Sequence, residues 1–145
     1  MIEKSNLLRL VEVMDTLRSP GGCPWDAEQT HQSLLTYLLE ETYEFIDAVE
    51  RGDRDDMVEE LGDVLLQVYF HSRIGQERID RAFSIEDVAG AISDKLIRRH
   101  PHVFESTEQL TPAQVEGNWE KLKAAEKSRK SAVDGVPLNQ PALSL

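Results

Sequence analysis

The stretch YLLEETYEFIDAVERGDRDDMVEELGDVLLQVYF, residues 37–70, decides the fold and carries the chemistry. Leu38, Leu39, Thr42, Phe45, Ile46 and Val49 recur at three- and four-residue spacing before Gly52, and Met57, Val58, Leu61, Val64, Leu65, Val68 and Tyr69 do so after it. That period belongs to helices with one apolar face. Gly52 is placed to end the first of them, because glycine accepts the left-handed backbone that closes many helices. Asp53 then caps the second, with Asp56 adding charge that suits the dipole of its first turn. The stretch reads as an antiparallel hairpin of two helices, one from about Thr30–Ser33 to Arg51 and one from Asp53 to about Arg78. Gly62 inside the second costs roughly 1 kcal/mol relative to alanine and marks either close approach of another helix or a tolerated defect.

The hairpin places charge as well as apolar surface. Glu41 and Glu44 lie three apart on one helix face, as do Glu60 and Asp63 on the next helix. Glu44 and Glu60 each stand 8 residues from Gly52, so both pairs lie about 12 Å from the turn at 1.5 Å per residue. They would meet at one height. An isolated pair of this kind is usually a solvated acidic face, whereas two pairs converging side by side repel each other, by about 4 kcal/mol for two charges 4 Å apart at an effective dielectric near 20. A bound cation removes that penalty. Oxygen-only ligands suit Mg²⁺, with Mn²⁺ as the second choice, better than Zn²⁺ or Cu²⁺, which take Cys and His. A helical di-iron site would want Glu-x-x-His, and the nearest histidine, His71, is eight residues past Asp63.

Outside the hairpin the pattern stays helical, with no alternating strand signal. One helix is expected over 5–18, ended by Ser19-Pro20-Gly21-Gly22, and the stretch GGCPWDAEQT that follows reads as a loop. Another is expected over 85–99, with Ser84 as cap and Pro101 as stop. Thr111, Pro112 and Gln114 announce one more, running to about Arg129. The fold class is therefore all-α, four main helices plus one, in a domain over 1–130 with 131–145 as a tail or the start of a linker.

The chain has 145 residues and a net charge of -11, enough for one core. Residues 40–63 hold 11 acids against 2 bases, a field hostile to duplex nucleic acid. The single cysteine, Cys23, and the absence of an apolar leader or span point to a cytoplasmic protein that docks on no membrane. Bases gather elsewhere. Lys95, Arg98 and Arg99 sit at i, i+3, i+4 near a helix end, where they complement the dipole or bind phosphate. Trp119 and Lys123, also i, i+4, are core and surface by default and could equally lie beside a base and its phosphates. Metal on one side and cations on the other suit phosphoanhydride hydrolysis.

The strings LRSPGGCPWDAEQTHQSL, YLLEETYEFIDAVERGD, EELGDVLLQVYFHSRI, ISDKLIRRHPHVF and NWEKLKAAEK together resemble the MazG family of nucleoside triphosphate pyrophosphohydrolases, within the all-α NTP pyrophosphatase superfamily. The resemblance implies Mg²⁺-dependent cleavage of nucleoside triphosphates between the α and β phosphates, giving a monophosphate and pyrophosphate. It assigns the metal to Glu41, Glu44, Glu60 and Asp63 and the substrate contacts to Lys95, Arg98, Arg99, Trp119 and Lys123. Glu40, beside the metal pair, is by proximity the candidate for positioning the attacking water. Family members are commonly homodimers or higher homo-oligomers. Many hold two modules in tandem; this sequence holds one and resembles the N-terminal of the two. The alternative, from another class, is a helical dimerisation or nucleotide-binding regulatory module that does not hydrolyse its ligand.

Overall fold

In the computed structural model, residues 5–106 and 108–134 are described, with side chains to residue 130. Among them are seven helices and no strand: α1 (Asn6–Arg18), α2 (Pro24–Glu28), α3 (His31–Arg51), α4 (Arg54–Gly75), α5 (Ile85–Arg99), α6 (Pro101–Phe104) and α7 (Pro112–Asp134). The fold class is as the periodicity implies. The helix ends follow local chemistry. Ser5 accepts from the Leu8 amide, Thr30 and Ser33 form a reciprocal capping box, and the Asp53 carboxylate accepts from the amides of Asp55 and Asp56. Gly52 closes α3 at φ 71°, ψ 18°, the left-handed conformation expected of it.

Four readings are corrected. The stretch GGCPWDAEQT is not all loop: Pro24 occupies the first turn of α2, where its missing N–H costs nothing. Pro101 ends α5 and by the same chemistry starts α6. The helix after Asp53 stops at Gly75 rather than near Arg78, and the last helix continues through Asp134. Gly75 is needed there, since a Cβ on it would lie 2.5 Å from the Phe83 ring, which folds back over the end of α4. Gly62, by contrast, faces open space. The rest of the proposed tail, 135–145, lies outside the described residues.

The chain forms two compact units that divide at Gly90–Ala91, within α5. In the first, α4 packs against both α3 and α1, and α1 against α2. Only two residues join α3 to α4, so the two run antiparallel. The core is small: Met14, Leu34, Tyr69 and Phe70, flanked by Leu10, Val11, Leu66, Ile74 and Ile85. A buried guanidinium fastens the loop between α1 and α3. Arg18 donates through Nε and Nη2 to Glu77 at 2.6 and 3.0 Å and through Nη1 to the carbonyls of Asp26 and Gln29 at 2.7 and 2.9 Å. Arg73 joins the same Glu77 carboxylate at 2.8 Å.

Much of the apolar surface on α3 and α4 is uncovered. Leu35, Leu39, Tyr43, Ile46 and Val49 form one exposed stripe at helical spacing, and Val58, Leu61, Leu65 and Val68 form another. Periodicity marks these as a buried face, yet the core above lacks them. Among the described residues no helix is long and apolar enough to cross a membrane.

Candidate metal centre

The antiparallel pair α3 and α4 brings Glu41, Glu44, Glu60 and Asp63 to one place, each offering a carboxylate oxygen, all four within 4.8 Å of one another. Equal distance from Gly52 and the three-residue spacing within each helix are the cause. Three of the four are partly buried and Glu44 is exposed. Glu41 Oε2 and Glu60 Oε2 are buried with no hydrogen-bond partner. An ionised carboxylate oxygen kept from water without a donor is costly.

That cost is visible in the proton equilibria. Glu41 is pushed up to about 7, first by burial, then by the charges of Asp63 and Glu44. Glu60 is raised as well, by burial and then by Glu44 and Asp63. The site without a cation holds protons that it would release to one. Two orphaned buried oxygens and an all-carboxylate donor set fit a hard divalent ion such as Mg²⁺ or Mn²⁺. Glu40 lies on the exposed side of α3, outside this group.

The second unit gathers the bases. Arg98 Nε and Arg99 Nη2 donate to the two oxygens of Glu126, at 2.9 and 2.7 Å. Both guanidiniums hold that carboxyl down at about 2. Lys95 and Lys123 are exposed. Trp119 stands edge-on to His100 with ring centres 5.0 Å apart, and its indole N–H is buried without a partner. Arg99 Nε and His102 Nδ1 are likewise buried and unpartnered. Within this unit a cavity of about 640 Å³ is lined by His102, Ser106, Gln114, Asn118 and Lys121 among others.

Sequence reasoning missed three polar groups. Glu126 has a signal in hindsight, because it follows Trp119 by seven residues and Lys123 by three and so shares their face of α7. Arg18 and Glu77 are 59 residues apart, and no local pattern links them. His31 and His71, 40 apart, bring their Nδ1 atoms to 2.7 Å, so that one ring donates and the other accepts. Burial and the neighbouring His31 lower the pKa of His71, whose Nε2 has no partner.

Comparison with known proteins bears on what such a cluster does. Residues 29–104 match the MazG nucleotide pyrophosphohydrolase domain. A 26.1 kDa protein of Streptomyces cacaoi is 54% identical over 142 residues, 97% of this chain and 58% of that protein. The nucleoside triphosphate pyrophosphohydrolase/pyrophosphatase MazG of Thermotoga maritima is 51% identical over 138 residues, 94% of this chain and 52% of that protein. The nucleoside triphosphate pyrophosphohydrolase of Escherichia coli K12 is 47% identical over 139 residues, 93% and 52% respectively. The chain thus spans between half and three-fifths of the length of these relatives. The crystal structure of a mazG-related protein from Thermotoga maritima superposes with a TM-score of 0.66 at 27% identity, over 81% of this chain and 98% of that one.

Proposed function

The chain belongs to the MazG nucleotide pyrophosphohydrolase family, and on that premise we propose that it hydrolyses nucleoside triphosphates to the monophosphate and pyrophosphate with Mg²⁺ held by Glu41, Glu44, Glu60 and Asp63. The observation that carries this reading is the convergence of four carboxylates with two buried, unpartnered oxygens. Mg²⁺ there would neutralise phosphate charge and polarise the phosphorus toward attack, with Mn²⁺ as a substitute. The residues of the chain do the rest. Glu41, raised to about 7, gives up its proton as the ion enters, so occupancy increases with pH through neutrality. Glu40, exposed one residue before Glu41, orients the attacking water. Lys95, Arg98, Arg99 and Lys123 hold the phosphates, and the half-buried Trp119 lies beside the nucleobase.

The proposal includes a second copy of the chain. Two exposed apolar stripes on α3 and α4 are more than a monomer of this size ordinarily leaves to water, and packing them together would complete a helical bundle. The relatives named for hydrolysis of nucleoside triphosphates support the substrate class. The test is a panel of nucleoside triphosphates with products identified, with and without Mg²⁺. Pyrophosphate released only with the metal is the expected result; orthophosphate as the product, or no turnover by folded protein, overturns the reading.

A further inference from the structure

The molecule contains the same arrangement twice, one glutamate shared by two arginines, and the two differ in what is left open. Arg18 spends four of its five N–H donors, two on Glu77 and two on backbone carbonyls, and keeps one. Arg98 and Arg99 together have ten, and among the described residues only Arg98 Nε and Arg99 Nη2 donate, which leaves eight. One of those eight, Arg99 Nε–H, is buried with no partner. The first arrangement is glue for a loop. The second is a pair of forks held at the handle.

We propose that Glu126 is a positioning residue for phosphate recognition: it pins the guanidiniums of Arg98 and Arg99 side by side so that their remaining donors face the phosphates. This rests on the assignment of those arginines to phosphate made above. Adjacent guanidiniums repel each other, and each long side chain otherwise samples many rotamers. One carboxylate bridging both answers the first problem and the second, so a phosphate meets donors already ordered. The pair keeps a net positive charge after Glu126 is counted. Its side-chain exposure is graded to match, 22% for Glu126 and 18% for Arg99 against 51% for Arg98, which places the anchor inside and one fork toward water. The strongly acidic Glu126 carboxyl stays ionised at every pH where the protein would work.

The test is calorimetric titration of the full chain with pyrophosphate in Mg²⁺, beside steady-state kinetics, for Glu126→Ala, Glu126→Asp and the double change Arg98→Ala with Arg99→Ala. Glu126→Ala is expected to raise both the Kd for pyrophosphate and the KM for the triphosphate about tenfold while kcat changes less than about twofold, because ground-state positioning is lost and the metal site is untouched. Glu126→Asp, which keeps the charge, recovers most of that loss. Should Glu126→Ala fail to fold, Glu126→Asp and Glu126→Gln carry the same comparison, the charged variant binding more tightly than the neutral one. Unchanged or tighter binding in Glu126→Ala overturns the proposal and makes Glu126 a helix tether or a competitor of phosphate. If the double arginine change weakens binding and Glu126→Ala does not, positioning alone falls. If the double change also leaves binding intact, the phosphate assignment falls with it, while Mg²⁺-dependent turnover of the unaltered chain still reports separately on the reaction.

Discussion

The two units use charge in opposite ways. On α3 and α4 four carboxylates of one sign converge, and Glu41 is driven up to about 7. On α5 and α7 opposite signs meet, and Glu126 is driven down to about 2. The carboxylates of the first site repel one another, which a bound cation would settle; in the second, one carboxylate bridges two guanidiniums, and spare donors with a net positive charge remain. A cluster under repulsion is a site for a ligand of the opposite charge, whereas a cluster bridged by its own counter-charge is a scaffold that orients one. The difference lies in which residues the helices bring together: four acids, paired three apart on α3 and α4, in one site, and two adjacent arginines of α5 meeting one glutamate of α7 in the other.

Breaking the repelling side gives the largest effect. Glu41→Gln and Asp63→Asn each remove an anionic ligand and should lower pyrophosphate release about a thousandfold, some 4 kcal/mol of transition-state stabilisation. The same changes should leave unfolding midpoints equal or raised, because each relieves repulsion; near-normal activity in both variants contradicts the ligand assignment. On the uncovered apolar stripe beside those acids, Leu61→Asp is expected to shift the sedimenting species from dimer to monomer, while a wild-type monomer at every concentration contradicts the second-copy proposal. In the core beneath, Leu34→Ala should cost about 2–5 kcal/mol in denaturant unfolding, since Leu34 is 1% exposed and sits in a four-residue core.

The contrast also has a pH signature. Glu41 binds its proton more tightly folded than unfolded, so the metal-free protein loses stability as pH rises from about 4.5 through 7. Glu126 has the opposite sign: its contribution is present above the ordinary glutamate range and is lost as pH falls toward 2. Thermal melts at pH 5 and pH 8 should therefore show the metal-free protein weaker at pH 8, with saturating Mg²⁺ removing the difference. A melt that rises with pH in the absence of metal argues against buried, repelling carboxylates. The smallest effect is at the hairpin turn, where Asp53→Ala removes a cap accepting from two amides and should cost about 1 kcal/mol.

The hairpin, its Gly52 stop, its Asp53 cap and the four-carboxylate group were all legible in the sequence because each depends on residues within one or two turns of each other or on equal counts from one glycine. The short helices α2 and α6 were not: Pro24 reads as part of a loop and Pro101 as a stop, and each starts a helix. Long-range pairs were hidden for a different reason: Arg18 with Glu77 and His31 with His71 meet only after packing. The apolar faces of α3 and α4 were legible as faces but not as covered or bare. Leu39 and Leu65 have the same spacing whether another helix or water lies against them.

The most direct test of the central claim, a divalent-ion cage between α3 and α4, is anomalous diffraction from crystals grown with Mn²⁺. The account predicts a peak within bonding distance of oxygens from Glu41, Glu44, Glu60 and Asp63, absent in Asp63→Asn. Peaks only elsewhere, with these four side chains turned separately into solvent, would contradict it.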